Sequence, residues 1–194
     1  MERAKMSDQR SIKTQYIIKA TFKDMVRTMD ANKISISDIT GQAGINRKTF
    51  YQYYACRDDL FYEICDEIIE RYRTALGVLD DCEGDFWPEF YRIFFEFFAD
   101  QDPYVERILC HPSYYPYCSH IIAGCAQVNR DHHDVVPNMT ESERALFNDY
   151  GATALFVIYR RWVELGKEIP VEEVVSFATR IVHYGMNAID TQEA

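Results

Sequence analysis

A chain of 194 residues, 47% hydrophobic and 27% charged, is long enough to bury a sizeable core and has the balance of a globular protein. It has no run of about 18 apolar residues, which argues against a membrane partner, and the polar stretch Met1–Arg10 lacks the apolar centre of a signal peptide, so the expected location is the cytoplasm. The net charge of −10 is unevenly spread: 11 Lys and Arg stand against 7 Asp and Glu up to Asp59, and 10 against 24 after it, so a modestly basic head precedes a strongly acidic body.

Only 8 glycines and 6 prolines punctuate the sequence, and apolar residues recur at three- and four-residue spacing. That pattern predicts an all-α protein. A first helix spans about Asp8 to Met29, with Ile18, Phe22, Met25 and Met29 on one stripe. Two short helices follow, at about Ser37–Ala43 and Arg47–Tyr53, and a long fourth runs from about Asp58 to Leu79 with Leu60, Ile64, Ile68 and Tyr72 inward. Cys82-Glu83-Gly84-Asp85 breaks that pattern. A fifth helix carries Phe86, Phe90, Ile93, Phe94, Phe97 and Phe98. Asp102-Pro103 reads as an N-cap with proline at the first helical position, opening a short sixth helix to about Leu109. A seventh spans about Cys118 to Asn129, and Asp131–Asn138 reads as a polar loop. Thr140 and Glu143 form a capping-box pattern ahead of a long helix that Gly166 closes near Leu165. Pro170 opens the last helix, where Glu172 and Glu173 suit the positive end of the helix dipole.

The stretch from Ile34 to Arg57 reads as a helix-turn-helix. Ser35 can cap its first helix, supported by Asp38. Ile39 and Ala43 face inward, and Gly44 can take the left-handed conformation that turns the chain. Ile45 plugs the turn, and Phe50 and Tyr54 are the buried pair of the second helix. Arg47, Lys48, Thr49, Gln52 and Tyr53 are left outward, with Tyr51 at one edge. Arg or Lys can donate to guanine O6 and N7, and Gln can pair with adenine. Ser35, Ser37, Thr49, the tyrosine hydroxyls and Arg57 suit phosphate oxygens. A helical hairpin with a solvated basic face fits the same residues, and the motif alone does not decide between the two.

From about Gln15 to Ile69 the chain resembles the TetR family of bacterial transcriptional regulators. The resemblance rests on Ile17-Ile18-Lys19-Ala20, Ile36-Ser37-Asp38-Ile39, Ala43-Gly44-Ile45-Asn46, Thr49-Phe50-Tyr51, Tyr54 and Arg57-Asp58-Asp59-Leu60. It implies a three-helix DNA-binding head (residues 1–57) joined by the long fourth helix to a helical ligand-binding and dimerisation body (58–194). It also implies a homodimer on a double-stranded DNA operator, released as a repressor by a small-molecule effector. Arg47, Lys48, Thr49, Tyr51, Gln52, Tyr53 and Arg57 match the family's DNA-facing positions. The family's usual glycine before the second helix is replaced by Asp30-Ala31-Asn32-Lys33, so that turn is expected to differ.

The long helix from about Glu141 is apolar on two faces, one of them Leu146, Tyr150, Ala154, Val157 and Arg161. The last helix repeats this with Val174, Ala178, Ile181 and Gly185. A helix at a monomer surface needs only one apolar stripe, so these residues are expected to form a four-helix dimer interface; an internal hairpin is the alternative. Phe86, Trp87, Phe90, Tyr91, Phe94, Tyr114, Tyr115, Tyr117 and Trp162 are the candidate lining of a ligand pocket, against the alternative that they are plain core. The cysteines form no CxxC pair. The spacings of Cys110-His111, Cys118, His120 and Cys125 are not those of a zinc site, and no cofactor is expected. No Gly-rich phosphate loop, nucleophile elbow or paired-carboxylate motif occurs, so the chain does not read as an enzyme. A second functional reading is a DNA-bound co-activator whose body binds another protein.

Overall fold

The computed structural model describes residues 2–81, 86–132 and 140–183. They form helices α1 (Glu2–Thr28), α2 (Ile36–Gln42), α3 (Arg47–Phe50), α4 (Arg57–Leu76), α5 (Phe86–Ala99), α6 (Pro103–Cys110), α7 (Tyr115–His132), α8 (Glu141–Glu164) and α9 (Val171–Ala178). No strand occurs among the described residues.

The helix boundaries follow from local chemistry. The Ser35 hydroxyl accepts from the Asp38 amide while Asp38 accepts from the Ser35 amide, which satisfies two free donors at the start of α2. Thr140 and Glu143 do the same for α8. Asp102 accepts from the Tyr104 amide beside Pro103 at the start of α6. Gly44 has φ +65° and ends the α2 turn in the left-handed region.

Several boundaries differ from the sequence reading, and α1 begins at Glu2 rather than about Asp8. After Phe50 the expected Arg47–Tyr53 helix tightens, with Gln52 N–H donating to Thr49 O and Tyr53 N–H to Phe50 O. Between α1 and α2, Ala31–Lys33 forms a 3-10 turn with Asp30 extended before it. That path needs no left-handed residue, so the chain dispenses with glycine there. The turn Pro112–Tyr114 feeds α7 three residues earlier than expected. α7 then runs to His132, through the start of the expected polar loop, whose remainder lies outside the described residues, as does the break at Cys82–Asp85.

α4 is the central strut. Leu60, Phe61, Ile64, Ile68 and Tyr72 are fully buried along it. α7 packs along α4 at close range because Gly124 has no side chain: a Cβ there would lie 2.3 Å from Ile69 Cδ1. The head core is Ile18, Phe22, Val26, Ile39 and Phe50, and it runs without interruption into the body core through Phe61. The ring of Phe22 meets Phe61 edge to face with centroids 4.4 Å apart.

Gly44→Ala is expected to destabilise the protein by about 1–2 kcal/mol, the cost of a left-handed L-residue. Nothing lies within 4 Å of the added Cβ, so the loss comes from the backbone alone. A urea midpoint equal to that of the wild type would show that this turn does not hold the left-handed conformation.

Candidate nucleic-acid interface

The outward face of α2–α3 is built from its buried side. Phe50 and Tyr54 are sealed in the head core with ring centroids 5.4 Å apart, which fixes the rotation of α3. Arg47, Lys48, Tyr51 and Gln52 are consequently exposed, and Thr49 and Tyr53 are half-buried. Asn46 caps α3: its Oδ1 accepts from the Thr49 amide at 2.8 Å and from the Thr49 hydroxyl at 3.1 Å. The Arg47 guanidinium donates to the Ser37 hydroxyl, joining the two helices of the motif across their outer edge. Ser35 spends its hydroxyl on Asp38. Ser35, Ser37 and Thr49 therefore serve the geometry of the motif first, and Arg47, Lys48 and Gln52 keep free donors in a row.

Arg57 departs from its expected place at a phosphate. Its guanidinium turns inward, donating to Ala31 O at 2.8 Å and Ile34 O at 3.1 Å, where it closes the 3-10 turn, and pairing with Asp58 at 2.8 Å. The physical reason is that the 3-10 turn leaves carbonyls facing the start of α4, and a planar five-donor group satisfies them together.

The same turn is gripped from the body. Tyr114 donates to Met29 O at 2.7 Å, and Arg107 donates to Met29 O at 3.2 Å and to Asp30 at 3.2 Å. The Ser113 hydroxyl accepts from the Ala31 amide at 3.1 Å. Tyr117 donates to Asp58 at 2.8 Å and stacks on Phe61 at 3.9 Å. Arg27 is paired with Asp102, and that hydrogen bond holds the Asp102 carboxyl below its ordinary range. Along α1, Lys19 and Lys23 reach Glu67 at 2.6 and 2.9 Å; burial would raise the Glu67 pKa, and the two ammonium groups hold it down instead. The orientation of α2–α3 is thus tied to the α6–α7 corner. Arg107, Ser113 and the Tyr114 hydroxyl had no distinguishing spacing in the sequence.

No family model matches the chain. Over 51 residues the chain is 43% identical to the HTH-type dhaKLM operon transcriptional activator DhaS of Lactococcus lactis, a match covering 26% of this chain and 27% of that protein. Over 79 residues it is 34% identical to the uncharacterised HTH-type transcriptional regulator YxbF of Bacillus subtilis, covering 38% of this chain and 21% of the relative. The chain therefore spans about a fifth to a quarter of the length of these curated relatives. A TetR transcriptional regulator from Streptococcus agalactiae superposes with TM-score 0.68 at 17% identity, covering 92% of this chain and 98% of the other. The chain has the TetR-family fold.

In this TetR-type body the expected pocket is corrected. Phe90, Tyr91, Phe94, Tyr114 and Tyr117 are buried in continuous core, and Phe86 and Trp87 pack at its edge. Phe94 meets Phe156 at 5.1 Å, Trp87 meets Phe147 at 5.6 Å and stacks on Tyr91 at 6.0 Å. Aromatic rings from α4, α5 and α8 pack against one another through this core, as Tyr72 with Phe94 at 6.1 Å and Phe98 with Phe156 at 5.0 Å show. Of the nine candidates, Tyr115 and Trp162 border cavities, and different ones. Tyr115 lines a groove between α7 and α8, together with Ser119, Ile122, Ala126, Val157 and Arg160. Trp162 lines an almost wholly apolar groove between α8 and α9, with Val157, Ile158, Leu165, Ile169 and Phe177.

The expected dimer stripe divides. On α8, Leu146, Tyr150 and Val157 are exposed at 71%, 62% and 57%, with Arg161 exposed and Ala154 half-buried beside them. The opposite stripe, Leu155 and Trp162, is buried in the same chain. On α9 the assignment is corrected: Val174 and Ala178 are buried in the chain's own core, because α9 packs on α5 and spends that face within the protomer. Ile181, directly after α9, is half-buried, and Gly185 lies outside the described residues. Phe177 is the apolar residue that α9 turns outward.

Among the described residues no cluster of His, Cys, Asp and Glu could hold a metal ion, and no helix is long and apolar enough to cross a membrane. Burial pushes the Cys65 and Cys110 thiols up to about 12, so both stay protonated near neutrality.

Proposed function

We propose that the chain is a DNA-binding transcriptional regulator that acts as a homodimer on a palindromic operator, with α3 in the major groove. The observation that carries this reading is the outward row Arg47, Lys48 and Gln52, held in place by the buried Phe50 and Tyr54 and by the caps at Ser35 and Asn46. The likeness of the chain to curated HTH-type regulators supports it. The dimer is supported by the exposed apolar set Leu146, Tyr150, Val157, Leu165, Ile169 and Phe177 along α8 and its junction with α9. A contiguous patch of that kind on a globular fold marks an interaction surface. Arg47 and Gln52 read bases, Lys48, Tyr51 and Tyr53 reach phosphates, and Thr49, Ser35 and Ser37 shape the motif. A small-molecule effector that binds better to a differently spaced dimer releases the operator, which makes the protein a repressor.

Selection of bound sequences from a randomised duplex pool tests the reading. The expected product is an inverted repeat with half-sites one helical turn, about 34–36 Å, apart. Enrichment of a single unpaired half-site, or of no sequence, would remove the dimeric operator-binding assignment.

One observation favours a second reading, an activator whose body recruits another protein. A protein that the chain resembles over 51 residues is described as a transcriptional activator, and Phe90, Tyr91, Phe94, Tyr114 and Tyr117, expected at a ligand pocket, are buried in the core. Repression or activation of a reporter placed behind the selected operator separates the two.

A further inference from the structure

The α7–α8 groove encloses about 410 Å³ and carries an unusual cation. Arg160 is half-buried between the buried residues Phe156, Tyr159 and Trp162. Its hydrogen bond to a described residue runs from Nη2 to Cys118 Sγ at 2.9 Å, and its Nε is buried with no partner. The nearby carboxylates are engaged elsewhere. Glu164 pairs with Arg161 at 3.1 Å, Glu106 with Lys167 at 2.8 Å, and Asp149 with Arg130 at 2.8 Å. Cys118 does not act as the counter-ion. Burial raises its pKa more than Arg160 lowers it, and its thiol donates to Leu109 O at 3.4 Å. A guanidinium half-withdrawn from water, with its Nε buried and unpartnered and no carboxylate of its own among the described residues, favours a bound anion.

The rest of the groove sets what that anion is attached to. Ile122, Ala126 and Val157 give it an apolar floor, and the hydroxyl-bearing Ser119 and Tyr115 stand at its rim. Among the described residues Arg160 is the one cation on that lining, which matches a single anionic group on the ligand. We propose that the α7–α8 groove binds a small monocarboxylate with an apolar body, its carboxylate on the Arg160 guanidinium and its apolar part over Ile122, Ala126 and Val157. A carboxylate matches the planar fork of a guanidinium, and the volume suits a ligand of drug-like size or smaller. Val157 also belongs to the exposed α8 stripe, so an occupant borders the surface assigned to the second subunit. This regulatory consequence rests on the dimeric-regulator reading; the binding site itself does not.

The test uses the full chain without DNA, so its failure is distinct from failure of operator binding. 4-Phenylbutyrate, 4-phenylbutanol and 4-phenylbutylamine are titrated by calorimetry. The acid is expected to bind about ten-fold or more tightly than the alcohol, and the amine more weakly than both, as one charge-assisted pair implies. R160Q is expected to abolish the preference for the acid, and Arg160→Lys to keep part of it. Ala123→Trp, at an exposed position on the groove, is expected to block all three probes without touching the cation, and covers the case in which R160Q fails to fold. Equal binding of acid and alcohol, no saturable binding of the acid at millimolar concentration, or an acid preference that survives in R160Q would overturn the proposal.

Discussion

Alanine at both Arg47 and Lys48 is expected to lower operator affinity by at least about two to four orders of magnitude, since a base contact of Arg47 is worth about 1–3 kcal/mol and each dimer loses it twice. The fold is expected to survive. Both side chains are exposed, and the double variant removes one exposed hydrogen bond, from Arg47 to the Ser37 hydroxyl. The two residues are separable. Loss of Lys48 alone, if it serves a phosphate, lowers affinity evenly across operator variants and reduces the steepness of the salt dependence by about one unit per phosphate. Loss of Arg47, if it reads a base, relaxes the choice at one position of each half-site. A mobility-shift titration at several salt concentrations reads both effects, and unchanged binding by the double variant would sink the DNA assignment of α3.

Tyr150→Arg is expected to convert the dimer to monomers. Tyr150 is 62% exposed at the middle of the α8 stripe, between Leu146 and Val157. A two-fold seam would bring the two copies of this position close together, so the variant places two cations in an apolar interface. Leaving a charge unpaired in such a setting costs about 3–5 kcal/mol, which is roughly two to three and a half decades in the dimerisation constant. Sedimentation velocity is the direct measurement, and the wild-type position is exposed enough that the monomer itself should remain folded. Operator affinity should fall with the dimer, because a palindrome is read only by two heads held one turn apart. A dimer that persists in Tyr150→Arg would place the seam elsewhere.

The two predictions differ in how far the sequence alone could support them. Everything the first one needs is local. Ser35 with Asp38, the left-handed Gly44, and Phe50 with Tyr54 lie within twenty residues of each other, and capping, left-handed turns and i, i+4 burial act over that range. The second depends on a choice that a periodic pattern does not make. α8 has two apolar stripes, and sequence spacing treats them alike. The structure separates them: Leu155 and Trp162 go to the core, and Leu146, Tyr150 and Val157 stay outside. For α9 the same ambiguity resolves against expectation, since α5 takes up Val174 and Ala178.

Aromatic spacing raises the same difficulty. Phe86, Phe90 and Phe94 recur as a core stripe does and also as a pocket wall does, and only the positions of Phe147 and Phe156 on α8 show that their rings close the space. Arg57 is legible in the sequence as a cation near the motif, but its partners, Ala31 O and Ile34 O, come from a turn 23 and 26 residues earlier. Arg160 has no such signal, because its significance is a lack: the carboxylates around it are paired with other cations, and that depends on which helices meet.

The helix-turn-helix from Ile34 to Arg57 therefore stands as the part of this protein that the amino-acid order determined by itself, because its caps, its turn and its buried pair are short-range interactions. Which way Arg57 points, which α8 stripe is free, and where a cation waits without an anion were decided by tertiary packing. Each of those outcomes is a competition among distant segments for the same buried surface or the same charge, and helical periodicity carries no information about which competitor wins.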